Sequence, residues 1–166
     1  PAAEPMPLVP TSTPTPTTSA VSGSGGTGSV SQKRFSPYVL LNTSSIRLVG
    51  SKSKWTTLAF VVGYSNRKIQ WDAGVVDPTK LKARIASVKK NGGGVIVSFG
   101  GQGAGTKGTK YLSELAGKYK DPVKLVDAYG AIATALQSTW LDFDVEEGAL
   151  KDTAGIDRRN KALALL

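Results

Sequence analysis

The chain has 166 residues, 40% of them hydrophobic and 20% charged, with a formal net charge of +9. It contains neither Cys nor His, which excludes disulfides, zinc fingers, cysteine nucleophiles and Ser-His-Asp triads. No apolar run reaches the roughly eighteen residues of a membrane-spanning helix. The basic residues are scattered, without an Arg-rich helix or an aromatic ribonucleoprotein motif, so the charge reads mainly as solvation, with attraction to an anionic cell wall secondary and no nucleic-acid partner.

Residues 1–33 read as a linker. Pro7, Pro10, Pro14 and Pro16 lie among Ser and Thr, and Ser22 to Gly28 is a Gly/Ser run. Such a segment buries too little apolar area to offset its ordering entropy. A tether of this kind joins modules, which leads us to expect another module before it. The start, Pro1-Ala2-Ala3-Glu4-Pro5, lacks the basic and apolar regions of a signal peptide, so a secreted form would have its signal elsewhere or already removed.

From Phe35 the pattern is globular. Tyr38 to Asn42 reads as a strand, Ser45 to Val49 as a short weak helix, and Trp55 to Tyr64 as a strand buried on both faces. Ser65 to Gly74 reads as a loop carrying Trp71. Asp77-Pro78 opens a helix with Leu81, Ile85 and Val88 on one face, ended by Asn91-Gly92. Val95 to Phe99 is a strand between glycines, followed by a glycine-rich loop to Gly108 and a short helix, Tyr111 to Lys118. Asp121-Pro122 repeats the capping signature for a helix with Val126, Tyr129, Ala133 and Leu136 on its apolar face. A strand, a loop from Gly148 and a helix from about Ile156 complete the chain. Strands alternating with helices imply parallel pairing through right-handed crossovers, with chemistry at the C-terminal strand ends. Gly100-Gly101-Gln102-Gly103 has neither the Rossmann spacing nor the P-loop Lys-Ser/Thr.

The most informative run is Trp140 to Gly148. Asp142, Asp144 and Glu146 alternate with Leu141, Phe143 and Val145. In a strand this puts three carboxyl groups on one face. Close like charges raise the pKa of at least one of them, and a protonated acid beside an ionised one is equipment for general acid catalysis. A solvated strand face and a carboxylate metal site remain as alternatives. A calcium loop counted from Asp142 fails, because Glu147 and Thr153 occupy its glycine and glutamate positions.

Ser98-Phe99-Gly100-Gly101 followed by Asp142-Phe143-Asp144-Val145-Glu146 resembles the glycoside hydrolase family 18 chitinases, which carry Ser-x-Gly-Gly and then Asp-x-x-Asp-x-Asp-x-Glu. The likeness extends from Phe35-Ser36-Pro37-Tyr38 through Leu58-Ala59-Phe60 to Asp157-Arg158-Arg159-Asn160, and covers residues 34–166. It implies an α/β fold: the first four βα units of a (β/α)8 TIM barrel, truncated, after the linker. It implies an extracellular enzyme that hydrolyses β-1,4-linked N-acetylglucosamine polymers such as chitin with retention, substrate-assisted and without a cofactor. By motif position, Glu146 would protonate the leaving oxygen. Asp144 would orient the substrate acetamido group, and Asp142 would share a proton with Asp144. Ser98 and Gly101 would let the third strand approach these acids, and Trp71 would stack on a sugar ring. Tyr38 and Phe60 read as core. Asn42-Thr43-Ser44 matches a glycosylation sequon.

The motif's first Asp falls on Thr139, and Glu147 stands where Gly is frequent after the acid. An eight-stranded barrel takes roughly 250 residues, more than follow the linker, so the chain is expected to be an incomplete and inactive catalytic domain. An endo-N-acetylglucosaminidase acting on N-glycans and a non-catalytic, chitin-binding lectin-like protein are the alternatives. Retention of Glu146 argues against the lectin.

Overall fold

The structure, a computed structural model, describes residues 34–105 and 114–166. The linker, the loop beyond Gly105 and the first residues of the helix expected from Tyr111 lie outside this range.

Four parallel strands form the sheet, in the order β1 (Tyr38–Leu40), β2 (Trp55–Ser65), β4 (Gly94–Gly100) and β5 (Leu141–Asp144). A further strand, β3 (Lys68–Trp71), runs antiparallel to the upper half of β2. It replaces part of the loop expected at Ser65 to Gly74. The connection is a two-residue turn in which Asn66 and Arg67 have φ of 50° and 59°. Both central residues of a type I′ hairpin turn need positive φ, which Gly and Asn adopt most readily. Arg67 carries no such signal, so the turn is inconspicuous in the sequence.

The helices form where their capping residues dictate. In α1 (Pro78–Lys90) the Asp77 carboxylate accepts hydrogen bonds from the N–H groups of Thr79 and Lys80, both at 3.0 Å. These satisfy two of the donors that a helix start leaves free. Asp121 does the same for Val123 at the head of α4 (Pro122–Ala135). Pro at the first helical position sacrifices no internal bond. The buried stripe of α4 is Leu125, Ala128, Tyr129 and Ile132, with Leu136 beyond its end. Tyr129 and Leu136 were expected there; Val126 and Ala133 flank the stripe instead of filling it. The last helix, α5 (Thr153–Leu165), starts three residues before Ile156, because Asp152 caps it through the Gly155 N–H. Two short helices, α2 (Gln102–Gly105) and α3 (Glu114–Lys118), lie between β4 and α4.

Register sorts the sheet into two faces. Val97 lies beside Leu141, and Phe99 beside Phe143. Val97 and Phe99 are fully buried in the core together with Leu81, Ile85, Leu125, Tyr129 and Ile132 of α1 and α4. Residues one step along each strand point the opposite way. Ser98 therefore lies beside Asp142, and Gly100 beside Asp144, on the face away from the core. That face also carries Tyr38 and Leu40, which are 55% and 54% exposed.

Candidate active site

The site is built at the C-terminal ends of β4 and β5. Asp142 is its fixed point. One carboxylate oxygen accepts hydrogen bonds from the Ser98 hydroxyl at 2.6 Å and from the Tyr38 hydroxyl at 3.0 Å. Ser98 is wholly buried, so its bond to a charged acceptor is shielded from water. Tyr38 reaches across from β1. Loss of water around the phenol, then the hydrogen bond to Asp142, then the negative charges of Asp142 and Asp144 push its pKa up to about 12. Tyr38 was expected in the core. It lies on the open face because β1 alternates with Val39, not Tyr38, directed inward. Phe60, also expected in the core, is half-buried and rests against the Tyr38 ring with centroids 5.8 Å apart.

The glycines bring β4 onto β5. A Cβ on Gly100 would lie 2.1 Å from the Asp144 carbonyl oxygen, and one on Gly101 would lie 2.6 Å from the Phe60 ring. Their φ values are 105° and 74°, in the region that side chains disfavour. The Gly101 N–H donates to the Asp144 carbonyl at 2.8 Å, which closes the seam where β5 ends.

The acidic strand is shorter than alternation suggests. β5 stops at Asp144, and Glu146 follows in extended backbone, φ −126° and ψ 168°, just before a 3₁₀ turn over Glu147–Lys151. Glu146 nevertheless meets its neighbour. A hydrogen bond shared with the Asp144 carboxyl, reinforced by the Asp144 charge, holds the Glu146 proton above the ordinary glutamate range. Glu147 is exposed and has φ of 50°, which accounts physically for the aptness of Gly at this position.

Ser98, Gly101, Asp142, Asp144 and Glu146 therefore come together, with Tyr38 added. Trp71 does not join them. It sits on β3, not in a loop, and it pairs with Val61, which in turn pairs with Phe99. Its ring faces the helix side and is 8% exposed within the core, which corrects the expectation that it stacks on a sugar. A cavity of about 920 Å³ between the hairpin, α1 and α4 is lined by Tyr64, Ile69, Trp71 and Leu81, but by none of the acids. Asn42 of the sequon is half-buried, its side-chain oxygen accepting from the Ser44 and Ser45 N–H groups. Among the described residues no group of three or more potential ligands could hold a metal ion. The arrangement sets Glu146, a carboxyl group that holds its proton above the ordinary glutamate range, next to Asp144 at the end of β5.

The backbone carrying these groups has counterparts in solved structures. The chain matches the catalytic domain of a hyperthermophilic chitinase from Pyrococcus furiosus at 21% identity and a TM-score of 0.55. It has a chitinase-like fold. Catalytic-site mutants of active domain 2 of chitinase from the same organism, one of them complexed with chito-oligosaccharides, match at 22% identity and the same TM-score. Each match covers 78% of this chain but only 40–41% of the other, so the chain spans about two fifths of the length of these structures. No known family model and no curated protein sequence matches. The chitinase-like parallel sheet is consistent with part of a barrel.

Proposed function

We propose that residues 34–166 are the acid-bearing first four βα units of a family 18 glycoside hydrolase barrel, acting on β-1,4-linked N-acetylglucosamine polymers. The observation that carries this reading is Asp142 pinned by Ser98 and Tyr38 in register beside β4, with Asp144 next along the same face of β5 and Glu146, its carboxyl raised by Asp144, just beyond. Glu146 keeps its proton and delivers it to the glycosidic oxygen as the bond to C1 breaks. The acetamido oxygen of the same sugar bonds to C1, and Asp144 orients that group and balances the positive charge of the oxazolinium ion. Water then adds at C1 with retention, and Glu146 recovers the proton. Asp142 tunes Asp144 by proton sharing, while Ser98 and Gly101 hold β4 close.

The chain then supplies one wall of the substrate cleft, and the rest of the barrel comes from further polypeptide. Residues 1–33 act as a tether to a carbohydrate-binding module in an extracellular protein. Chitinase-type solved structures at the same fold support the substrate class. Two assays test the reading. In the first, the 166-residue chain is run on a sizing column and assayed with chito-oligosaccharide; the expected result is no turnover, and a stable, active monomer refutes the partial-barrel assignment. In the second, the full-length protein is incubated with insoluble chitin. Binding without release of oligosaccharide favours the lectin-like alternative, and cleavage confined to the chitobiose core of N-glycans favours the endo-N-acetylglucosaminidase.

A further inference from the structure

Behind the acids, on the helix side of the sheet, lies a buried polar group that the proposed reaction does not use. Glu114 of α3 is 1% exposed and Arg159 of α5 is 5% exposed. The Arg159 Nε donates to a Glu114 carboxylate oxygen at 2.8 Å. The same oxygen accepts from the Tyr129 hydroxyl at 3.1 Å, and the other oxygen from the Ala116 N–H at 2.7 Å. Burial pushes the Glu114 carboxyl up, and Arg159, Ala116 and Tyr129 work against that push. Arg158 ties α5 to α3 a second time through the Ala116 carbonyl.

This cluster grips one ring. The Arg159 guanidinium lies over Phe143, 5.6 Å from its centroid. Phe143 stacks on Phe99 at 5.2 Å and meets the edge of Tyr129 at 5.3 Å, and Tyr129 in turn meets Phe99 at 5.0 Å. Phe143 stands between Asp142 and Asp144, and Phe99 between Ser98 and Gly100. A shift of Phe143 rotates the backbone that aims both acids, since adjacent strand residues share peptide planes.

The geometry points to Arg159 and Glu114 as positioning residues, which set the Asp144–Glu146 contact from the opposite face by clamping Phe143. The inference rests on the role proposed above for that contact. A guanidinium lays a planar, charged surface on a ring, which the ammonium of Lys does not.

The test is carboxyl ¹³C NMR titration of Glu146 in the full-length protein, with Asp144→Asn defining the midpoint of a glutamate freed from its neighbour. Arg159→Lys is expected to lose most of the elevation that separates wild type from Asp144→Asn while keeping a folded spectrum. Should Arg159→Lys not fold, the double variant Glu114→Leu/Arg159→Met removes both charges and is read in the same way. Phe143→Leu, which removes the ring and leaves the ion pair, is expected to reproduce the loss, and it decides the matter if neither of the others folds. A folded variant whose Glu146 titrates as in wild type overturns the inference, because a merely structural pair lowers stability without moving that midpoint. A wild-type Glu146 that already titrates with Asp144→Asn instead overturns the proposed site itself.

Discussion

Gly100→Ala drives a methyl group into the backbone that carries the acids. The new Cβ would stand 2.1 Å from the Asp144 carbonyl oxygen, whereas ordinary contact begins at 3.4 Å, so the strands must part by 3.4 − 2.1 = 1.3 Å or the residue must rotate. Rotation meets a second cost, since φ is 105°. Holding a side chain in such a region costs about 1–3 kcal/mol, and overpacking a close contact about 1–3 kcal/mol more, which together give about 2–6 kcal/mol. That is a large share of the roughly 5–15 kcal/mol that stabilises a typical domain. The separation falls at the register pair Gly100–Asp144 and at the Gly101 N–H bond to Asp144. Urea unfolding followed by circular dichroism reads the stability, and the Glu146 carboxyl titration reads the site. The expected result is a loss within that range together with a Glu146 midpoint closer to that of an ordinary glutamate. A loss below about 0.5 kcal/mol, the scatter of neutral surface changes, with an unmoved titration refutes the close approach of β4 to β5.

Arg159→Met leaves Glu114 buried without its ion partner and should cost about 3–5 kcal/mol, whereas Glu114→Leu/Arg159→Met should fall much nearer wild type; urea unfolding of the two variants checks the difference. Asp142→Asn removes the charge that disfavours the Tyr38 phenolate, so the phenol should lose its proton at a pH below about 12, read by ultraviolet absorbance against Tyr38→Phe. The sign follows from an acid made harder to ionise by a neighbouring anion: take the anion away and ionisation comes earlier. Arg67→Gly relieves about 1–2 kcal/mol of left-handed strain and returns about 0.5–1 kcal/mol as chain entropy. A small gain in melting temperature is therefore expected, and a loss would argue against the Asn66-Arg67 turn.

Much of this arrangement was visible in the residues themselves. Asp77-Pro78 and Asp121-Pro122 announced two helix starts, because capping is a local interaction between a carboxylate and N–H groups two or three residues on. Ser98, Gly101 and the acid run were singled out by motif and alternation. Tyr38 was missed because a single aromatic beside Val39 and Leu40 does not say which face of a three-residue strand it takes. Trp71 was misplaced because the hairpin that buries it turns on Arg67, a residue without turn propensity. Glu146 was assigned to the strand by alternation, but β5 ends at Asp144 where Gly101 closes the seam, a contact between segments more than forty residues apart. Glu114 and Arg159 are likewise paired only by tertiary structure, 45 residues apart. Periodicity reports which residues are buried, not which buried charges meet.

The most direct measurement is the release of reducing ends from a soluble N-acetylglucosamine oligomer by the full-length protein and by its Glu146→Gln counterpart, with the anomer of the first product read by proton NMR. The account predicts a β-anomeric product from the wild-type protein and loss of nearly all turnover in the variant. Equal turnover by the two proteins, or an α-anomeric first product, would contradict it.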